Sequence, residues 1–276
     1  MTLELASERV VRKPWGRTDL RPWSELGHDG APIGEIWFQR DGSGEDALLV
    51  KYLFTSERLS VQVHPGDAAA MAAGHNRGKD EAWLILEAEP GAEIAIGLKE
   101  PLSARELEAS ALDGSIVNRL DWRKVTPGDA FYSPAGTLHA IGAGLTLLEI
   151  QQNSNVTYRF FDYGRDRELH LGEAVAVANT GLSPDLSIER PLGDARSLLV
   201  QGPKFTVERW RTGRGRLRAS REVPVWLIPL SGRAHANGQL LDQPSVWIAE
   251  AEVDLEIDAG SELLVAYEGP ETRTPL

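Results

Sequence analysis

Apolar residues in this chain recur at alternate positions or in short unbroken runs, and seldom at the three-and-four spacing of a helix. Residues 33 to 39 (IGEIWFQ), 47 to 54 (ALLVKYLF), 59 to 64, 81 to 87 and 93 to 98 therefore read as strands, with Gly, Pro, Asp or Ser clusters between several of them. Three stretches read as helices. Residues 67 to 73 are Ala-rich after a Pro-Gly-Asp start, residues 172 to 179 (GEAVAVAN) close the first half, and residues 103 to 112 open on Ser103-Ala104-Arg105-Glu106. In that last segment the Ser103 side chain can accept from the backbone N–H of Glu106, the spacing of a capping box. Short helices laid on a strand-rich chain predict an all-β fold built as a barrel or a sandwich.

Past residue 180 the pattern repeats. Residues 180 to 194 hold two glycines and two prolines without a period and read as a linker. Residues 205 to 210, 224 to 229, 245 to 248, 253 to 257 and 263 to 267 then read as strands of a second unit. Its one histidine, His235, falls in a glycine-flanked turn at residues 232 to 238. The arginine-rich stretch from residue 209 to 221 reads as a solvated loop or a charged sheet edge, or failing that as a contact with the acidic first half or with a second subunit.

Composition narrows the class of molecule. A chain of 276 residues can bury an adequate core without disulfides, and it contains no cysteine, which removes thiolate metal sites. Its 29 Lys and Arg stand against 41 Asp and Glu, a formal net charge of -12 that disfavours nucleic acid as a partner. There is no basic-then-apolar opening and no apolar run of membrane length, so a soluble cytoplasmic protein is expected, without a membrane partner, as a monomer or homodimer.

Against that background three short segments stand out: Gln62-Val63-His64-Pro65, Lys79-Asp80-Glu81 and residues 134 to 139 (PAGTLH). Successive strand residues alternate faces, so Gln62 and His64 project to one side and Val63 to the other. Glu81 and His139 would have to arrive from other strands. An amide, a carboxylate and two imidazoles form a donor set for a catalytic divalent metal with an open position, zinc first. Lys79, two residues before Glu81, shares its face if the segment is extended. His28, His75 and His170 sit in polar or glycine-flanked contexts and read as exposed loop residues, with His75 close enough to Lys79 to cover a site.

The run Gly128, Pro134, Gly136, His139 has the spacing G-x5-P-x-G-x2-H and resembles the second cupin motif, whereas the first motif carries Gln62 in place of its usual leading histidine. That substitution, together with GEIW at 34 to 37, LSVQVHP at 59 to 65, GKDEAW at 78 to 83, LEIQQNS at 148 to 154, and TYR through DY at 157 to 163, resembles the type I mannose-6-phosphate isomerases. The resemblance covers most of the first two-thirds of the chain. It implies two cupin-like jelly-roll β-barrels: a metal-binding catalytic domain over residues 1 to 180 and a metal-free one over 195 to 276. It implies one zinc ion per chain on Gln62, His64, Glu81 and His139, an active-site arginine at Arg159, and Ser60 and Lys79 near a bound phosphosugar. Glu149 falls on an acidic position in the same cavity. Two departures are visible, Gly66 after the His-Pro pair and a chain shorter than most members.

The implied chemistry is an aldose-ketose interconversion of mannose 6-phosphate and fructose 6-phosphate through an enediol. Its obstacle is negative charge building on oxygen, which a divalent cation and Arg159 would lower. Alternation along residues 147 to 151 puts Glu149 and Gln151 on one face, making Glu149 the first candidate for the proton-transferring group and Lys79 the second. The alternatives are another metal-dependent cupin enzyme, such as an oxygenase, and a non-catalytic sugar-phosphate-binding cupin.

Overall fold

The computed structural model describes residues 3–27, 30–40, 46–182 and 189–273. Strands β1 (Leu3–Leu5), β2 (Ser7–Arg17), β3 (Ile33–Gln39), β4 (Leu48–Thr55) and β5 (Val61–Val63) precede helix α1 (Asp67–Ala72). Strands β6 (Glu81–Ala88) and β7 (Glu93–Leu98) precede α2 (Ala104–Leu112) and α3 (Ile116–Arg119). Next come β8 (Leu120–Lys124), β9 (Ala130–Ser133), β10 (His139–Ile141), β11 (Leu145–Gln152), β12 (Tyr158–Phe161) and α4 (Leu171–Val177). The remainder supplies β13 (Arg190–Pro191), β14 (Arg196–Gln201), β15 (Phe205–Trp210), β16 (Gly213–Leu217) and β17 (Val225–Ser231), then β18 (Ala234–Ala236), β19 (Gln239–Leu241), β20 (Trp247–Ala249), β21 (Val253–Ile257) and β22 (Glu262–Glu268).

These strands form four sheets. The first half makes a six-stranded sheet, β2-β3-β4-β11-β6-β9, and a five-stranded sheet, β12-β5-β10-β7-β8. The second half makes a seven-stranded sheet, β1-β20-β17-β22-β15-β14-β13, and a four-stranded sheet, β16-β21-β18-β19. All the pairings are antiparallel. The mostly-β expectation holds, but the expected pair of closed barrels is not found: among the described residues no sheet closes on itself, since pairing stops at edge strands such as β2, β9, β12 and β8. Two facing sheets already bury an alternating apolar face, so closure is not required for a core.

The layers are cemented by four apolar clusters. Trp15, Leu53, Trp83, Ile85, Ile94 and Ile141 fill the space between the six- and five-stranded sheets. On the opposite face of the six-stranded sheet, Ile36, Phe38, Tyr52, Leu148 and Ile150 pack with Phe205, Val207, Trp226, Ile228 and Leu264 of the seven-stranded sheet. A third cluster lies within the second half, and a fourth packs α2 and α4 on the outside of the five-stranded sheet. Strands β4 and β11 are thus covered on both faces along their whole lengths. That explains why residues 47 to 54 are apolar at every position but Lys51, a pattern an antiparallel strand shows only when neither face meets water.

Helix α2 begins as expected. Ser103 caps it, with its backbone N–H donating to Glu106 at 2.8 Å and its hydroxyl accepting from the Glu106 N–H at 3.3 Å. One local expectation needs correction, and one strand carried no signal in the sequence. The polar, charge-studded segment Ser7–Arg17 gives no clear strand signal yet forms β2, because one edge of β3 needs a partner more than the segment's own propensity opposes it. The turn expected around His235 contains the strand β18. His28 and residues 183–188 of the expected linker lie outside the described residues.

Of the arginine-rich stretch, Arg214 and Arg216 lie on edge strand β16 and pair across to Glu256 and Asp254, as a charged edge should. Arg209 behaves differently. It is buried, pairs with Glu189 at 3.1 Å and donates to the carbonyl of Gly128 in the first half at 3.3 Å.

Candidate metal centre

Strand β5 is only three residues long, yet its alternation places two of the expected ligands. Val61 and Val63 join the apolar cluster under the helices, which turns Gln62 and the following His64 toward the six-stranded sheet. His139 opens the neighbouring strand β10, with Gln62 as its register partner. Glu81 opens β6 on the opposing sheet, between Ser133 and Gln151. The two sheets face each other, so residues 64, 81 and 139 meet in the gap.

Their geometry gathers three acceptors around one point. His139 Nε2 lies 3.0 Å and His64 Nε2 3.4 Å from the same Glu81 oxygen, Oε1. Each ring turns its other nitrogen to a backbone carbonyl, His64 Nδ1 to Val156 O at 3.0 Å and His139 Nδ1 to Thr137 O at 2.9 Å. A carbonyl only accepts, so each Nδ1 carries the hydrogen and each Nε2 presents a lone pair. Glu81 Oε1 and His139 Nε2 are buried without a hydrogen-bond partner. Lone pairs packed this closely repel unless a cation sits among them, and the donor set fits a divalent metal with nitrogen and oxygen preference. Among the described residues no other trio of His, Asp or Glu side chains gathers in this way.

Lys79 supplies the nearest positive charge. Its Nζ is 2.9 Å from Glu81 Oε2, 3.2 Å from His64 Nε2 and 4.0 Å from Glu149. Burial opposes the charge on Lys79, but the Glu81 and Glu149 carboxylates outweigh it and raise its pKa. Burial likewise favours protonated Glu81, yet the Lys79 charge beside it holds it well below the usual carboxylate range. His64 is pushed down to about 3, chiefly by burial and then by Lys79, so it stays neutral. A neutral imidazole is the form that binds a metal.

The cavity beside this cage has a volume of about 360 Å³ and is shared between the two sheets. Five other residues expected at the site line it: Ser60, Gln62, Lys79, Glu149 and Arg159. Arg159 donates through Nη1 to Glu168 O at 2.8 Å while its Nε is buried without a partner. Desolvation and the neighbouring Arg167 charge lower its pKa. His170, expected to be merely exposed, braces Arg159: its Nδ1 accepts from the Arg159 N–H at 3.1 Å and its own N–H donates to Arg159 O at 2.8 Å. His75 is exposed and stays outside the cavity lining.

Sequence reading missed a second charged row in the cavity. Trp37, Lys51, Glu149 and Trp83 are register partners across β3, β4, β11 and β6. The Lys51 ammonium lies 2.9 Å from Glu149, 2.5 Å from Gln151 Oε1 and 4.0 Å from Glu35, and 4.8 Å over the Trp37 ring. Glu35 in turn accepts from the Trp37 indole N–H at 2.6 Å. Burial would raise the Glu35 pKa, but Lys51 and Lys13 overcome it and lower the value. A lone lysine inside ALLVKYLF was the available signal, because an unpaired ammonium does not survive between two apolar neighbours in a strand covered on both faces. Arg167, also in the lining, is fixed by two 2.6 Å bonds to buried Asp162.

No family model matches the chain. Individual proteins do: it is 35% identical over 218 residues to the mannose-6-phosphate isomerase of Streptococcus mutans, covering 73% of this chain and 67% of that protein. The mannose-6-phosphate isomerase ManA of Bacillus subtilis is 34% identical over 217 residues, 73% and 68% of the two chains. The chain belongs to the mannose-6-phosphate isomerase family. In three dimensions it superposes on the crystal structure of a Bacillus subtilis mannose 6-phosphate isomerase with a TM-score of 0.84 at 26% identity, over 96% of this chain and 99% of the other. A zinc-bound mannose 6-phosphate isomerase at 15% identity has a TM-score of 0.75 over 98% of this chain and all of its own, a likeness of fold. In this isomerase-family chain the cage, the lysine row and Arg159 therefore share one cavity between the two N-terminal sheets. No helix among the described residues is long and apolar enough to cross a membrane.

Proposed function

We propose that this chain is a zinc-dependent isomerase that interconverts mannose 6-phosphate and fructose 6-phosphate, with the ion on Gln62, His64, Glu81 and His139. The observation that carries this reading is the convergence of two Nε2 lone pairs on one buried Glu81 oxygen, with His139 Nε2 and Glu81 Oε1 left without a hydrogen-bond donor, beside a cavity of phosphosugar size. A divalent cation held there would polarise the substrate carbonyl and lower the cost of charge on its oxygen.

The chain's own groups divide the remaining work. Glu149, paired with Lys51 and within reach of Lys79, is a carboxylate able to take a proton from the carbon beside the carbonyl and return it to the neighbouring carbon, which is what passage through an enediol requires. Lys79 stays charged and acts as a donor to substrate oxygen. Arg159, with Nε unpartnered, faces the developing oxyanion or the phosphate, and Ser60 and Arg167 line the cavity around it. We read the two sandwiches as opened cupin jelly rolls, residues 1 to 180 carrying the chemistry and 195 to 276 carrying no metal.

A coupled assay for fructose 6-phosphate tests the proposal. Zinc-loaded protein is expected to turn over mannose 6-phosphate, chelator-stripped protein to be inactive, and Arg159→Ala to keep its fold and metal while losing about 10²-fold or more in turnover. Equal activity with and without the ion would sink the metal-dependent reading, and full activity in the variant would remove Arg159 from the mechanism.

A further inference from the structure

The tripeptide Lys79-Asp80-Glu81 sends Lys79 into the cavity, Glu81 into the adjoining cage and Asp80 away from both. Asp80 is buried, and its carboxylate accepts from the Tyr132 hydroxyl and from the backbone N–H of Ala135 at 2.9 Å. It therefore ties the Glu81 segment to the loop that delivers His139. The Asp80 backbone is bracketed by Gln152, which accepts the Asp80 N–H on its side-chain oxygen at 3.0 Å and donates its own N–H to Asp80 O at 3.0 Å.

Both of these anchors lead to the second half of the chain. Gln152 Nε2 donates to Asp67 Oδ1 at 3.1 Å, the same oxygen that accepts the Gly78 N–H at 2.8 Å. A β-carbon on Gly78 would lie 2.6 Å from the backbone of residues 65 to 67, so this approach of the Lys79 segment requires glycine. The other Asp67 oxygen takes the ammonium of Lys204 at 2.6 Å. Lys204 sits in the turn at residues 202 to 205 between β14 and β15, closed by a bond from the Gly202 N–H to Phe205 O at 3.0 Å. The same turn seats Tyr132: Phe205 meets its ring edge-on with centroids 5.8 Å apart, and a β-carbon at Gly202 would fall 2.4 Å from it.

We infer that the turn at residues 202 to 205 is a positioning element for the ion site, acting through Lys204 on Asp67 and through Phe205 and Gly202 on Tyr132 to fix Lys79-Asp80-Glu81. This gives the metal-free second half a task in the first half's chemistry. The inference rests on the isomerase reading for its purpose, and on the hydrogen-bond chain alone for its mechanics. Two routes converge on one tripeptide, so loosening either one leaves the other, and a graded response follows.

The full-length variants Lys204→Met and Tyr132→Phe test it, with Lys204→Arg as the conservative partner and Ser103→Ala, in the distant α2 cap, as a control of comparable small stability loss. Hydrogen exchange at the amides of Gly78, Asp80 and Ala135, measured without metal, should accelerate about tenfold or more in the first two variants and in neither of the others. Zinc affinity, read by competition with a chelator, should weaken about tenfold, and kcat should fall with KM held. Unchanged exchange at those amides, or equal acceleration in Ser103→Ala, overturns the inference. An accelerated exchange in a wild-type background that neither binds zinc nor isomerises upholds the mechanical coupling and sinks the isomerase reading instead.

Discussion

Lys51 shows how a single residue can be dictated by its neighbours across strands and not by those along its own. Flanked by Val50 and Tyr52, which face the second half, it projects to the other side among Glu35, Glu149 and Gln151. Removing one member of a buried ion pair strands the other, which costs about 3–5 kcal/mol. Lys51→Met is therefore expected to lower unfolding stability by about 3 kcal/mol in urea titrations, since Glu149 then keeps only Lys79 at 4.0 Å. Wild-type stability in this variant would show that the carboxylates find other partners. His64 and His139 illustrate the reverse case. Their spacing from Gln62 and Gly136 made them legible as candidate ligands, but which ring nitrogen faces the gap depends on carbonyls at Val156 and Thr137 that only the folded loops supply.

At the level of elements, the decisive unit is a strand of three residues. The apolar side chains of β5 face the helices and so fix the opposite direction for Gln62 and His64; a slip of one residue would turn the valines into the gap between the sheets and Gln62 toward the helices. Around it, the start of α1 is joined by Asp67 to the approach of β6 and to the β14–β15 turn. The Lys204 ammonium is the chief cause that lowers the Asp67 pKa from 3.8 to about 2. A carboxylate depressed on folding adds stability that is complete above the unfolded value and disappears as pH falls through the folded one. The stability difference between wild type and Asp67→Asn should therefore be constant above about pH 4 and shrink toward zero near pH 2. Chemical unfolding at pH 6, 4, 3 and 2 reads this directly; a difference that grows on acidification would contradict it.

For the molecule as a whole, the central strands β3, β4, β11 and β6 of the six-stranded sheet have almost no solvent face. One side holds the cavity and the other is covered by the seven-stranded sheet, which β1 from the N-terminus also joins. Each large apolar side chain uncovered forfeits about 1.5–3 kcal/mol, and Ile36, Phe38, Tyr52 and Ile150 would all be uncovered together. A fragment ending at residue 180 is accordingly expected to aggregate or elute in high-mass fractions on gel filtration, and a soluble monomeric fragment that binds zinc would show the halves to be independent. Charge is divided by scale as well. A chain of net -12 repels a phosphosugar at long range, while the cavity lining sets Lys13, Lys51, Lys79, Arg159 and Arg167 against Glu35 and Glu149, so attraction prevails within a Debye length of the site.

What the sequence determined by itself was whatever short spacing encodes: strand periods, the α2 cap, the Gln62 and His64 pair on one face, and the turn that precedes His139. Side-chain alternation and turn chemistry are local properties, so residues within a few positions of one another suffice to specify them. What only the tertiary structure decided was the register between distant strands. That register brought Lys51 and Glu35 into the cavity, left the sheets open instead of closed into barrels, made Ser7–Arg17 a strand, and ran a hydrogen-bonded path from Lys204 to Glu81. Pairings of this kind are settled by which apolar faces must cover one another, a condition that no single segment contains.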